Sequence, residues 1–276
     1  MGLYDKKEAK SLENLVQLSG KDNKTIKSAA KLSSSASLRR ESGEFLLEGA
    51  RLCLDAVLAG AEIKRAFVTE KALKDYKEYV EPLLSEAKEK YLVSADLFAK
   101  ISDTVTPQGV AAVCKMPKDC DKVDSKGMYI ALENMQDPSN LGAVARTAEA
   151  LGISGIIISK GSADPYSPKA QRSAMGSLLR LPVIVSDDFL GYLKELKSKG
   201  MTLFATTIKD YDVKLGETEF PCGSIVMIGN EGNGLTSDAI SFADKRVTIC
   251  MSGRNESLNA SVAASIFMWE MMKGKN

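Results

Sequence analysis

The polar residues best suited to chemistry lie in three short segments of the C-terminal half of the chain. The first segment contributes Asn140 and Arg146, the second contributes Glu231, and the third contributes Ser257 and Asn259. Each segment follows an apolar stretch typical of a buried strand, contains glycine, and runs towards a helical pattern. Because ligands bind at the carboxyl ends of strands in open α/β sheets, the three segments are candidates for one shared site.

Residue types that are missing narrow the chemistry that these segments could perform. The chain has no histidine, which removes the commonest general base and the commonest metal ligand. Its five cysteines include no Cys-x-x-Cys pair, so the sequence predicts neither a zinc site nor a disulfide framework, and we expect no metal. The run Gly232-Asn-Gly234-Leu-Thr-Ser237 lacks the last glycine of the dinucleotide-binding pattern, which argues against a nicotinamide or flavin enzyme.

The elements that must position these segments are predicted to form an α/β fold in two domains. Residues 1–40 are polar and rich in lysine and serine, and we interpret them as a short basic helical arm outside the core. Strand and helix patterns then alternate as far as the charged, apolar-poor stretch 117–127, which is the best candidate for a linker. We therefore place the domains at 1–118 and 126–276, the second with a largely parallel sheet.

The helix ends beside the candidate residues also allow plainer interpretations. Asn140 is placed to cap the helix that carries Arg146, and this segment alone is compatible with an ordinary capped helix. Ser257 could likewise be a simple helix cap, and Glu231 a solvated residue in a tight turn. The last helix, predicted from about Leu258, is apolar on several faces, which indicates burial in a core or against a partner.

Taken together, the three segments resemble the motifs of the SpoU (TrmH) family of SPOUT RNA methyltransferases. The matching patterns are Asn140-x-Gly142-x-x-x-Arg146, Gly229-x-Glu231-x-x-Gly234-Leu235 and Ser257-Leu258-Asn259-x-Ser261, in the family's order and spacing. This resemblance covers about residues 129–272. The first domain, through Phe45-Leu-Leu-Glu-Gly49, looks more loosely like the substrate-binding domain of many members, which is similar to ribosomal-protein-like RNA-binding modules.

The resemblance implies a C-terminal α/β domain with a deep trefoil knot, and a homodimer whose active sites include residues from both subunits. It also implies S-adenosyl-L-methionine as the cofactor. Main-chain atoms near five residues would line that cofactor: Thr206, Gly229, Ile249, Met251 and Leu258. The third motif departs from the family's usual Ile-Pro-Met by carrying Cys250 in the middle position, which could loosen that loop.

The implied activity is methylation of a ribose 2′-hydroxyl in RNA, and the family assigns the removal of the hydroxyl proton to Arg146. An arginine keeps its proton in proteins, since its pKa lies above about 12. We therefore expect Arg146 to bind the adjacent phosphate and stabilise the developing alkoxide, while the proton leaves through Ser257, Glu231 or water. Asn140, Glu231 and Asn259 would orient the ribose and Arg146.

Substrate capture is predicted to use basic side chains that contact phosphates. The candidates are Arg39 and Arg40 in the arm, and Lys64, Arg65, Lys169 and Arg172 beyond it, although solvated helix faces account for such residues more often. The extra N-terminal domain favours 23S ribosomal RNA as the substrate; transfer RNA, methylation of a base, and a non-catalytic ribosome-assembly role remain alternatives. The sequence has no apolar run long enough for a membrane span and no signal peptide, so we expect a cytoplasmic protein.

Overall fold

The computed structural model describes residues 14–20, 23–117, 123–253 and 257–275. The described residues form two compact units. One comprises those within Met1–Pro117 together with Tyr166–Leu179, and the other those within Lys118–Pro165 together with Arg180–Asn276. Residues 118–122 of the predicted linker lie outside the described part of the chain.

The first unit is built on a five-stranded mixed sheet with strand order β1-β4-β3-β5-β2. Its strands are β1 (Leu15–Gln17), β2 (Glu44–Glu48), β3 (Ile63–Val68), β4 (Glu89–Leu92) and β5 (Val110–Lys115). Its first six helices are α1 (Lys24–Ser34), α2 (Ala36–Ser42), α3 (Ala50–Leu58), α4 (Glu70–Asp75), α5 (Lys77–Glu86) and α6 (Ala95–Phe98). Phe45 and Leu47 of β2 belong to one buried cluster and Leu46 to another, so apolar groups cover both faces of the sheet.

The N-terminal helices are part of this core, which corrects the prediction of an arm outside it. Ile26, Ala29 and Leu32 lie on one face of α1 and are buried in the same cluster as Phe67 and Val113. Burial of an aliphatic side chain of this size contributes roughly 1.5–3 kcal/mol. Removal of α1 would therefore destabilise the first unit.

Arg39 is likewise buried, which corrects its assignment as an RNA-binding residue. Its side chain is buried, and Nη1 donates hydrogen bonds to the carbonyl oxygens of Leu32 and Ser33 near the end of α1. Those carbonyls have no partner within the helix, so a guanidinium there completes the helix end. Arg40, the next residue, is exposed.

The second unit contains a seven-stranded sheet in which all adjacent strands are parallel, in the order β10-β12-β9-β11-β6-β7-β8. The strands are β6 (Tyr129–Leu132), β7 (Gly155–Ser159), β8 (Val183–Ser186), β9 (Thr202–Thr206), β10 (Val213–Lys214), β11 (Ser224–Ile228) and β12 (Lys245–Thr248). The helices are α7 (Pro138–Leu151), α9 (Phe189–Ser198), α10 (Ser237–Phe242) and α11 (Ala260–Met272), whereas α8 (Pro168–Ala174) belongs to the first unit. The prediction of an α/β fold with a largely parallel sheet in the C-terminal half is confirmed.

The order of the strands decides where the candidate segments meet. β12, β9, β11 and β6 are consecutive in the sheet and parallel, so their carboxyl ends lie along one edge. All residues of β6, β7 and β11 are buried, as expected for parallel strands covered on both faces. Helix α11 packs against α7, and none of the described helices is long and apolar enough to cross a membrane.

Candidate active site

A chain of side-chain hydrogen bonds joins the three sequence segments at this edge of the sheet. Asn140, which is 8% exposed, donates from Nδ2 to Oε1 of Glu231 at 2.9 Å. Its Oδ1 accepts a hydrogen bond from Nδ2 of Asn259 at 3.1 Å. Glu231 follows Asn140 by 91 residues and Asn259 follows it by 119, so only tertiary structure brings the three together.

Asn140 is not the helix cap that the sequence predicts. Asp137 caps α7, because its Oδ1 accepts a hydrogen bond from the backbone N–H of Ser139 at 2.9 Å. Pro138 occupies the first helical position, where a missing N–H costs nothing, and Asn140 lies two residues further inside the helix. The Asn140 amide is therefore free of capping and pairs with Glu231 and Asn259.

Glu231 is held as an ionised carboxylate. Desolvation opposes its charge, but hydrogen bonds from the Asn140 amide and from backbone N–H groups outweigh desolvation and lower its pKa. The backbone donors include Gln136, at 3.2 Å from Oε2, and Asp137, at 3.3 Å from Oε1. A carboxylate with a lowered pKa accepts a proton less readily, so this environment suits Glu231 for orienting neighbouring groups better than for removing a proton.

Asn259 both caps a helix and closes the hydrogen-bond chain. Its Oδ1 accepts from the backbone N–H groups of Ser261 at 2.9 Å and Val262 at 3.3 Å, which makes it the N-cap of α11. The capping interpretation of Ser257 is therefore wrong. Ser257 is exposed, and within the described part of the chain it does not join the hydrogen bonds of Asn140; residues 254–256, just before it, lie outside that part.

The turn after β11 requires glycine because two stretches of backbone cross closely there. An ideal Cβ on Gly229 would lie 2.1 Å from backbone atoms of Gly234 and Leu235. Asn230 and Gly234 exchange backbone hydrogen bonds of 3.0 and 2.9 Å across the turn. Any side chain at Gly229 would force this turn apart and displace Glu231, which lies between Gly229 and Gly234 in the sequence.

Three residues that the sequence did not single out support this turn. The buried carboxylate of Glu133 accepts hydrogen bonds from the backbone N–H and the Oγ1 of Thr236, at 2.8 and 2.7 Å. Asn230 donates from Nδ2 to the carbonyl of Asn134 at 2.8 Å, and Asn134 has a positive φ of 54°. The available sequence signal was a glutamate placed directly after the apolar strand β6.

The predicted cofactor residues lie at the carboxyl ends of three adjacent strands. Thr206 ends β9, Gly229 directly follows β11, and Ile249 directly follows β12. The Thr206 hydroxyl donates to the carbonyl of Met227 at 2.9 Å, so its side chain is already committed to the sheet. Met251 and Leu258 are exposed at 36% and 40%, which is unusual for apolar side chains of this size.

A ligand with both polar and apolar parts fits this edge. The Oγ1 of Thr207 is buried without a hydrogen-bond partner among the described residues, and buried polar groups without partners are rare in proteins. Met251 and Leu258 offer apolar contact, whereas the space beside Gly229 is filled by the backbone of Gly234 and Leu235. A free hydroxyl beside exposed apolar side chains is compatible with a cofactor that has polar and apolar parts, as S-adenosyl-L-methionine does.

Arg146 lies apart from the hydrogen-bond chain. Six residues at about 100° each separate it from Asn140, so the two side chains leave α7 on different faces. Arg146 is exposed and makes no hydrogen bond or ion pair with another described residue. It lines a groove of about 590 Å³ between α7 and α11, together with apolar residues that include Val262, Ile266 and Trp269.

Two further predicted RNA-binding residues, Lys169 and Arg172, belong to α8, in the segment that packs with the first unit. Lys169 is exposed. Arg172 pairs through Nη2 with Oδ2 of Asp103 at 2.8 Å, and its Nη1 is buried without a partner among the described residues. No group of three or more acidic or cysteine side chains suited to a metal ion occurs in the described ranges.

Comparison with known proteins shows that this parallel α/β fold and its three motifs belong to a class of RNA methyltransferases. Residues 127–269 match the model of the SpoU rRNA Methylase family, and the chain belongs to that family. Residues 23–112 match the MRM3-like substrate binding domain. The family resemblance drawn from the three motifs is thus confirmed.

Two relatives and one solved structure illustrate the similarity. The 23S rRNA (guanosine(2553)-2′-O)-methyltransferase RlmP of Bacillus subtilis is 29% identical over 92% of this chain and 98% of its own. The 23S rRNA (uridine(2479)-2′-O)-methyltransferase of Streptomyces viridochromogenes is 27% identical over 85% of this chain and 84% of its own. The crystal structure of the SpoU methyltransferase AviRb from that organism, in complex with AdoMet, is 26% identical with a TM-score of 0.81, covering 92% of this chain and 98% of AviRb.

Proposed function

We propose that this protein transfers the methyl group of S-adenosyl-L-methionine to a ribose 2′-hydroxyl in 23S ribosomal RNA. The observation that carries the proposal is the hydrogen-bond chain Glu231–Asn140–Asn259, which assembles all three motifs at the carboxyl edge of the sheet. The similar proteins named for 23S rRNA 2′-O-methylation and the AviRb complex with AdoMet support the substrate and the cofactor. One relative is named for a guanosine and the other for a uridine, which supports chemistry directed at the ribose and leaves the target base open.

The cofactor would be held by main chain at the ends of β9, β11 and β12, near Thr206, Gly229 and Ile249, with Met251 and Leu258 against its apolar parts. When bound, it supplies an electrophilic methyl group. The Thr207 hydroxyl has no hydrogen-bond partner among the described residues, so it would be available to donate to, or accept from, a polar atom of that ligand. The exposed Cys250 takes the place of the family's usual proline in this loop, where the cofactor contacts would be made by main-chain atoms.

The protein's own residues would position the ribose and stabilise charge. Glu231 and Asn259, fixed by Asn140, orient the ribose so that its 2′-oxygen is in line with the methyl group. Arg146 is unpaired among the described residues, so its guanidinium is available to bind the adjacent phosphate and stabilise the developing alkoxide. The lowered pKa of Glu231 favours departure of the proton to water or through Ser257.

A homodimer is part of the proposal. Val262, Ile266 and Trp269 form a stripe at helical spacing on α11 and are 47%, 37% and 61% exposed. Contiguous apolar surface of this kind marks an interaction site, and a two-fold axis would pair the stripe with itself. Arg146 lines the same groove, so dimerisation would place it beside the partner subunit.

The trefoil knot and the role of the first unit are also proposals. Strand β12 lies beside β9 and outside β11, and the chain then returns to pack α11 against α7 and β11, which supports threading of the C-terminal part. The match of residues 23–112 to a substrate binding domain supports RNA binding by the first unit, similar to ribosomal-protein modules. Arg40, Lys169 and Arg172 are its proposed phosphate contacts.

Ribose-resolved mapping of RNA tests the proposal. Purified protein, labelled S-adenosyl-L-methionine and unmodified 23S transcripts should yield one linkage resistant to alkaline cleavage, because a 2′-O-methyl group blocks that reaction. Arg146→Ala should lose at least a hundredfold in kcat/KM, and Arg146→Lys should retain part of the activity. Methylation of transfer RNA instead, methylation of a base, or no transfer to any RNA would each contradict the proposed function.

A further inference from the structure

Three lysines share one carboxylate at an edge of the first unit's sheet. Glu62 lies 2.9 Å from Nζ of Lys64 through Oε1 and 3.6 Å from Nζ of Lys115 through Oε2. Lys88 also pairs with Oε1 of Glu62. We refer to Glu62, Lys64, Lys88 and Lys115 as the lysine cluster.

The strand pairing of the sheet builds the lysine cluster from three distant parts of the sequence. β3 begins at Ile63, parallel to β4 and antiparallel to β5, so the starts of β3 and β4 lie at the same edge as the end of β5. Two backbone hydrogen bonds hold this edge in place. The N–H of Lys88 donates to the carbonyl oxygen of Ile63 at 3.1 Å, and the N–H of Lys115 donates to the carbonyl oxygen of Glu62 at 3.0 Å. The three ammonium groups therefore converge because of register and independently of any ligand.

The charges in the lysine cluster do not balance. One carboxylate neutralises one ammonium group, which leaves a net charge of about +2 on a surface of a protein whose total is only +1. Glu44 also acts electrostatically on Lys64, but it pairs with Arg65 at 2.6 Å, and together these two residues leave the net charge of the surface unchanged. All three lysine side chains remain between 30% and 59% exposed, so their free N–H donors are open to solvent.

Purely structural ion pairs would not require this arrangement. Exposed pairs contribute little to stability, with a median of about 0–1 kcal/mol, and a third like charge adds repulsion to the folded state. An excess of positive charge that strand register assembles and leaves open to solvent suits a polyanion whose phosphates neutralise it.

We propose that the lysine cluster binds backbone phosphates of the RNA substrate through the positive charge that Glu62 leaves unbalanced. The inference rests on the proposed function, since it identifies a surface outside the active site that captures the same substrate. Phosphate contacts of this kind fix the position of an RNA without reading its sequence. The cluster therefore contributes affinity and salt dependence, and the target nucleotide is chosen elsewhere.

Salt-dependent RNA binding by the full-length protein tests the inference. The variant K64Q/K88Q/K115Q should bind an in vitro transcribed 23S rRNA more weakly, and the slope of log K against log salt should become shallower by about 0.7–0.9 for each lysine. The matched control K77Q/K199Q/K273Q makes the same change in net charge at exposed lysines paired with Glu81, Glu195 and Glu270. The slope of log K against log salt for this control should stay closer to that of the wild type. Circular dichroism verifies that both variants fold.

Removing the central carboxylate gives a second test with the opposite sign. Glu62→Gln leaves all three lysines unopposed, so RNA binding should tighten severalfold and its salt dependence should steepen. A triple lysine variant with the wild-type slope, or a Glu62→Gln variant that binds no more tightly than the wild type, overturns the inference. If the wild type binds RNA through the cluster but methylates none, the proposed function fails while this inference stands.

Discussion

Substitution of Asn140 by alanine tests whether the hydrogen-bond chain holds the active site together. The change removes one bond to the charged Glu231 and one to the neutral Asn259. Typical net contributions are about 1.5–3 kcal/mol for the charged bond and about 0.5–1.5 kcal/mol for the neutral one. Glu231 is exposed and keeps two backbone donors, so water replaces part of this loss.

Helix propensity reduces the effect on stability further. Alanine is favoured over asparagine inside a helix by up to about 0.7 kcal/mol, and Asn140 lies within α7. We therefore expect the free energy of unfolding to fall by about 1–3 kcal/mol. We expect kcat/KM to fall at least tenfold, which corresponds to about 1.4 kcal/mol in the barrier, because Glu231 and Asn259 lose their common support.

The assay compares urea unfolding with methyl transfer from labelled S-adenosyl-L-methionine to a 23S transcript. Glu149→Ala is the matched control, since it removes an ion pair to Arg180 from the same helix. Asn259→Ser separates the two roles of Asn259, because serine keeps a capping oxygen and lacks the amide that donates to Asn140. We expect Asn259→Ser to lose activity with little loss of stability. An Asn140→Ala enzyme whose kcat/KM stays within twofold of the wild type would refute the reasoning.

Three further outcomes follow from single contacts. Gly229→Ala should abolish cofactor binding measured by calorimetry, because its Cβ would lie 2.1 Å from backbone atoms. Gly253→Ala is the control and should bind the cofactor, because its Cβ would meet open space. Equal cofactor affinities of the two variants would contradict the close backbone crossing at Gly229. Trp269→Glu should shift the protein from dimer to monomer in sedimentation equilibrium, because it places a charge in the exposed apolar stripe. An unchanged molecular mass would count against the proposed interface. Arg39→Gln should lower the midpoint of thermal unfolding, because the Arg39 guanidinium completes the end of α1. The salt dependence of RNA binding should not change. A shallower salt dependence would show that Arg39 does contact RNA.

Local patterns were sufficient to locate the candidate segments. An apolar run, a glycine turn and a following helix can be read from neighbouring residues, because strand and helix periodicities act over a few positions. The α/β class and the motifs around Asn140, Glu231 and Asn259 were found in this way. The same local reasoning misplaced the helix caps, since Asp137 and Asn259 take the roles suggested for Asn140 and Ser257.

Contacts between distant residues were decided only by the tertiary structure. The pairing of Asn140 with Glu231, the docking of α8 with the first unit and the burial of Arg39 depend on which strands become neighbours and in which register. The lysine cluster shows the same limit, because Lys64 is only one of several phosphate-contact candidates in the sequence and meets Lys88 and Lys115 only when β3, β4 and β5 pair. Sequence periodicity indicates which face of a helix or strand is apolar. Which other helix or strand packs against that face depends on contacts throughout the core, which a local pattern does not contain.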